Sequence, residues 1–443
     1  MQVKLFLSRS AEIFAGLLIC LLPVAVLATS NILWYEWNVL AIFLVGLLIC
    51  SGLYFMTSSD EARALPVAFW QGLILHVIFL GYFALSMVWS AETFSFQYLN
   101  YIKICYSSAL FWAVIYFHCR KPMRGLQQNG LPLFAAAAAL CLVGILFEFL
   151  TNGALYKLST YQNMAAVYDG GLVMQSWLYF DRAALFLTLI CGACLSSYVQ
   201  QKRPLLSVLP LMSAALLLLI IFFSESLTAR LSLGLMVAMF ALSCWFKASF
   251  KRLVTVVTAV LVLGAVLLPW GIHAVWDQPQ IQQARDSLPS SLRLRTEYWK
   301  FSSEKIAEKL AFGWGVSAGW SLPGVMEPLD WIDDQPRLQL YPPNPHSAFL
   351  EVLLGGGYVG LVLFLVLWVY ANRLILKMPS YGQKVVFFSF SVVLAFVLSV
   401  WNVLFFHWIF QYFMAAILLV LVFQPAPPQQ NSQSMASGVT QRP

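Results

Sequence analysis

At 443 residues, with 60% hydrophobic and only 10% charged side chains and a mean hydropathy of +0.77, the chain has too little polar surface for a water-soluble globule. It is predicted to be an all-α polytopic membrane protein, since a helix satisfies its own backbone in lipid whereas an isolated strand does not. The net charge of +7 is accounted for by loops on one side of a membrane and requires no nucleic-acid partner.

About twelve stretches are apolar over a length able to cross about 30 Å of hydrocarbon as helix: 11–29, 38–57, 66–89, 101–118, 131–150, 182–200, 205–223, 229–246, 253–270, 347–370, 385–402 and 405–423. The first lacks a convincing small-residue cleavage site and is read as a helix, not a signal peptide. The chain thus divides into transmembrane helices one to nine over 1–270, a large outside cap insert over 271–345 between helices nine and ten, and helices ten to twelve over 346–423. A Pro-, Gln- and Ser-rich tail, 424–443, is expected to be disordered and cytoplasmic. With both termini inside, Lys4, Arg63, Arg120, Lys121, Lys202, Arg203, Lys247, Lys251, Arg373, Lys377 and Lys384 fall inside, as the positive-inside rule requires.

The eight cysteines lie in or beside the first eight segments, so no disulfide framework is implied, and Cys191 and Cys194 are read as packing residues. Glu148, inside the fifth segment, is costly there and needs a partner or a wet cavity. Within the insert, Arg295–Ala311 reads as an amphipathic helix on which Trp299, Ile306 and Leu310 share a face, Arg295 and Trp299 are neighbours, and Gly313 ends the helix. Tyr341-Pro342-Pro343-Asn344-Pro345 should then hold the chain extended until His346.

Arg182, Arg230 and His346 all stand where the chain enters the membrane from outside, at helix N-termini. The helix dipole and the positive-inside bias both disfavour a cation there, so arginines retained at such places are explained by an anion facing them. Arginine suits phosphate through paired, charge-assisted hydrogen bonds. The alternative is that Arg230 pairs with Glu225 and Arg182 with Asp181, or that both snorkel. For His346, a helix start and desolvation favour the neutral imidazole that can accept a proton; the alternative is an interfacial histidine bonded to a loop carbonyl. His76, His118, His273 and His407 are read as structural, and Asp333-Asp334 as a solvated pair, not a metal site.

Three stretches carry a resemblance: Ser224-Glu225-Ser226-Leu227-Thr228-Ala229-Arg230; Arg295-Thr296-Glu297-Tyr298-Trp299 leading to Gly313-Trp314-Gly315; and His346-Ser347-Ala348-Phe349-Leu350-Glu351 leading to Gly355-Gly356-Gly357 and Gly360. In order and spacing around a long insert, over about residues 205–370, the chain resembles the O-antigen ligase and polymerase superfamily of bacterial envelope proteins. Where that family has a Ser-Arg pair, this chain has Ala229-Arg230.

The resemblance implies an inner-membrane glycosyltransferase with a periplasmic active site, and is closest to lipid A-core:O-antigen ligase. The implied donor is an undecaprenyl-diphosphate-linked glycan and the implied acceptor is lipid A-core. His346 would be the base and Arg230 and Arg295 the diphosphate ligands, with Arg182 a further contributor and Arg293 a rival for Arg295. No cofactor or metal is implied. A polymerase, whose acceptor is a second lipid-linked glycan, and a transporter or flippase are the alternatives.

Overall fold

The computed structural model describes residues 2–29, 36–90, 96–123, 227–288, 290–316, 318–325, 345–378 and 380–400, with positions 143, 147 and 151. These form ten α-helices: α1 Gln2–Thr29, α2 Glu36–Thr57, α3 Val67–Ser86, α4 Phe96–Arg120, α5 Leu227–Trp245, α6 Phe250–Val275, α7 Pro279–Asp286, α8 Ser290–Glu308, α9 Ala348–Lys377 and α10 Tyr381–Val400.

The chain is all-α, but the expectation of about twelve transmembrane helices is corrected. Among the described residues five helices are long and apolar enough to cross a membrane: Val67–Trp89, Tyr101–Arg120, Lys247–Val275, Ala348–Lys377 and Tyr381–Val400. They coincide with the predicted spans 66–89, 101–118, 253–270, 347–370 and 385–402. Ile42–Thr57 within α2 and Arg230–Trp245 within α5 are shorter apolar stretches of the described residues. The predicted spans 131–150, 182–200, 205–223 and 405–423 lie outside the described residues, apart from the isolated positions 143 and 147, as do Arg182, Glu148, Asp333-Asp334 and the tail.

Several long apolar helices make this a multi-pass membrane protein, and their outer faces agree. Trp70, Ile74, Val77 and Ile78 on α3, and Val256, Val260 and Leu263 on α6, are all about half or more exposed. So much apolar surface is stable only against lipid. The inward faces meet α9, which packs against α3, α6, α8 and α10. Gly356 and Gly360 admit the ring of Phe83, which is fully buried, and Tyr82 donates from its hydroxyl to the Gly356 carbonyl at 2.6 Å. Farther along, Asn372 donates to Thr258 Oγ1 at 3.1 Å and accepts from Ser391 Oγ at 2.8 Å, a buried polar node joining α6, α9 and α10.

One core links these helices to the cap. Phe301 and Ile306 of α8 and Val316, Leu322 and Val325 beyond it pack with Ala348–Leu354 of α9, Phe83 and Ala265. Helix α8 starts five residues earlier than predicted and stops three earlier, while Ile306 points inward as its periodicity requires and Leu310 is exposed. Its entry is braced from α7: Arg285 donates to Glu297 Oε1 at 2.9 Å, and Arg293 pairs with Asp286 at 3.0 Å.

Candidate active site

The site is built where the cap crosses α9. This helix is broken at Gly357, whose φ of 59° and ψ of −163° no helix contains. The break frees carbonyls that Gly313-Trp314-Gly315 takes up. Trp314 N–H donates to Leu354 O at 2.7 Å and Gly315 N–H to Gly355 O at 2.9 Å, while Tyr358 N–H donates to Leu310 O at 2.8 Å and Val359 N–H to Ala311 O at 3.2 Å. Such contact of two backbones leaves no room for side chains. A Cβ on Gly313 would stand 2.6 Å from Gly357 N, and one on Gly357 would stand 2.3 Å from Ala311 O. Both glycines also have positive φ. The Trp314 ring closes the end of α8, with Nε1 donating to Lys305 O at 2.8 Å and Lys309 Nζ 3.9 Å above the ring.

This crossing fixes the first part of α9 beneath α8. At its head, Ser347 takes the extended N-cap conformation (φ −150°, ψ 120°), its carbonyl accepting from Glu351 N–H at 2.9 Å. Its hydroxyl is wholly buried and has no hydrogen-bond partner among the described residues, which is costly for a polar group out of water. The run 341–344, expected to be extended, lies outside the described residues, and His346 is left-handed, with φ 47°. That conformation costs an L-residue roughly 1–2 kcal/mol, and such strain gathers at functional sites.

The imidazole lies nearly parallel to the Tyr298 ring, 16° between planes and 5.8 Å between centroids. Tyr298 is buried, which pushes its phenol up to about 12, so it stays protonated. His346 is held down to about 4, first by burial and then by the positive charge of Arg295. The ring is therefore neutral throughout the physiological range. Between 6.5 and about 4 the unfolded chain binds the proton more readily than the folded one, so this histidine makes stability fall as pH falls through that window.

Arg295 and Tyr298 are three apart on α8 and share a side of it. The two candidate arginines are distinguished by their partners: Arg293 is paired with Asp286, whereas Arg295, half-buried, has no carboxylate partner among the described residues. Burial lowers its guanidinium below the usual value. Arg295→Gln should therefore raise the His346 pKa above about 4 while leaving it under 6.5, because burial, the larger cause, remains. Histidine-selective labelling and a pH titration by NMR measure this; an unmoved ring would separate the two residues.

The structure thus brings His346 and Arg295 together. Arg230 stands exposed on the first turn of α5, which packs on α10, and no contact among the described residues joins it to that pair. Tyr298 and Ser347 were within the quoted motifs but carried no assigned role. Spacing along α8 could have nominated Tyr298; nothing local predicts its stacking on a ring 48 positions away.

Residues 212–365, which contain Arg230, Arg295, the glycine crossing and His346, match the O-antigen ligase family. Over this segment the chain is similar to the O-antigen ligase family. A Rickettsia conorii protein that bears the name polysaccharide ligase is 25% identical over 220 residues, 48% of this chain and 51% of that protein. The chain matches about half the length of this curated relative, and the matched family segment stops inside α9 at Leu365.

Proposed function

We propose that the protein is an O-antigen ligase type glycosyltransferase of the bacterial inner membrane, moving a glycan from undecaprenyl diphosphate to lipid A-core on the periplasmic face. The observation that carries this reading is the pairing of a neutral, partly buried His346 with Arg295, a cation that has no carboxylate partner among the described residues. An acceptor hydroxyl must lose a proton as it attacks the anomeric carbon, and the departing diphosphate gains negative charge. His346 takes the proton. Arg295 binds the diphosphate oxygens through its planar fork, joined by Arg230 and Arg182 if the substrate reaches them.

A pKa near 4 makes a weak base, but the donor corrects it. A diphosphate seated on Arg295 cancels the positive field felt by the imidazole and adds negative charge beside it, and both changes raise the proton affinity of His346. The base is thus strengthened only when the donor is in place. Direct displacement of the diphosphate inverts the anomeric centre.

The purified protein, given an undecaprenyl-diphosphate glycan and lipid A-core, should glycosylate lipid A-core, and should do so in EDTA because guanidinium groups stabilise the leaving group. With the donor alone it should not lengthen the glycan. A ladder of longer lipid-linked glycans with untouched lipid A-core would mark a polymerase instead, and loss of transfer in EDTA with recovery on added magnesium would refute the arginine clamp.

A further inference from the structure

At the end of α9 opposite His346, two turns meet around a cavity. The α5–α6 turn contributes Lys247 and Lys251, and the α9–α10 turn with its flanks contributes Arg373, Lys377 and Lys384. The cavity is about 580 Å³, the size of a small-molecule site. No carboxylate lines it, and none of the five cations has a carboxylate partner among the described residues. Lys247 rests instead over the Tyr381 ring at 5.4 Å, and the Tyr381 hydroxyl is committed to the Ser243 carbonyl.

The positive-inside tendency accounts for cations on this face. It does not account for five of them lining one hollow, where each raises the potential felt by the others. An anion inside would relieve that repulsion. Ala248, Phe250 and Leu376 complete the wall with apolar surface at the ends of membrane helices, so one side suits charged oxygens and the other the start of an acyl chain. We propose that this cavity binds a phosphate group, that of an anionic phospholipid headgroup or of a soluble phosphate, on the face away from the glycan-transfer site. Basic pockets between transmembrane helices are built for such groups.

The full chain, purified in an uncharged detergent, is titrated with short-chain phosphatidylglycerol, with phosphatidylcholine of the same chain length, and with inorganic phosphate, following thermal unfolding. The expected result is a saturable rise in Tm with phosphatidylglycerol that salt weakens and phosphatidylcholine does not give. In Lys251→Gln/Arg373→Gln the apparent affinity should fall at least tenfold, and in the charge-keeping Lys251→Arg/Arg373→Lys it should fall less. A saturable rise with inorganic phosphate that the glutamine variant loses would support the same site with a soluble ligand. Equal effects of the two lipids, or unchanged affinity in the glutamine variant, would overturn the proposal. If the glutamine variant does not fold, the lipid comparison on the unaltered protein decides. His346 lies at the other end of α9, so failure here leaves the transfer reading untouched.

Discussion

His346→Ala should abolish glycan transfer, with kcat falling at least 10²-fold, the low end for a lost general base. Melting temperature in detergent should move little, since the residue is only partly buried and its removal opens a surface notch. Alanine inherits the left-handed φ of 47° at some cost, so His346→Asn is the sharper variant. Asparagine tolerates that backbone region and keeps a planar polar group, yet its amide cannot accept the proton. Equal inactivity of the two variants with normal unfolding identifies the imidazole; near-normal transfer by either would remove His346 from the mechanism.

The second large effect is on folding. Gly357→Ala places a methyl 2.3 Å from the Ala311 carbonyl oxygen, at a φ of 59° that alanine resists. The strain of roughly 1–2 kcal/mol adds to an overpacking cost of about 1–3 kcal/mol, and neither neighbour can yield because both are backbone. The variant should melt well below the parent or fail to accumulate. Gly360→Ala is the control in the same helix: its Cβ meets ring atoms of Phe83 and Tyr82 at 3.2 Å, so small side-chain shifts relieve it. Equal stability of Gly357→Ala and the parent would show that the crossing is not what holds the cap.

The five described spans were legible because a run of apolar residues longer than about 18 has few other stable places. The count of twelve exceeds the five spans among the described residues, where the apolar stretches Ile42–Thr57 and Arg230–Trp245 have fewer than 18 residues. The inward turn of Ile306 on α8 was legible from helical periodicity. The glycine run was visible only as a motif; that it marks a break in α9, with its carbonyls handed to the cap, depends on a partner strand of chain 40 residues away. The backbone of His346 was hidden for a local reason. Proline constrains the residue before it, so Pro345 governs Asn344 and leaves the next φ open.

The break at Gly357 also sets a depth. Subtracting the ten residues through Gly357 from the 30 of α9 leaves 20, which at 1.5 Å each is about 30 Å, a full hydrocarbon thickness. The nine residues before the break are then released from spanning and serve as a pedestal no taller than about 14 Å. If the far end of α9 lies at one leaflet boundary, the break lies at the other and the imidazole stands no more than about 14 Å beyond it, within or just above the headgroups. A lipid-linked donor would reach it with its prenyl tail still immersed, without being lifted from the bilayer.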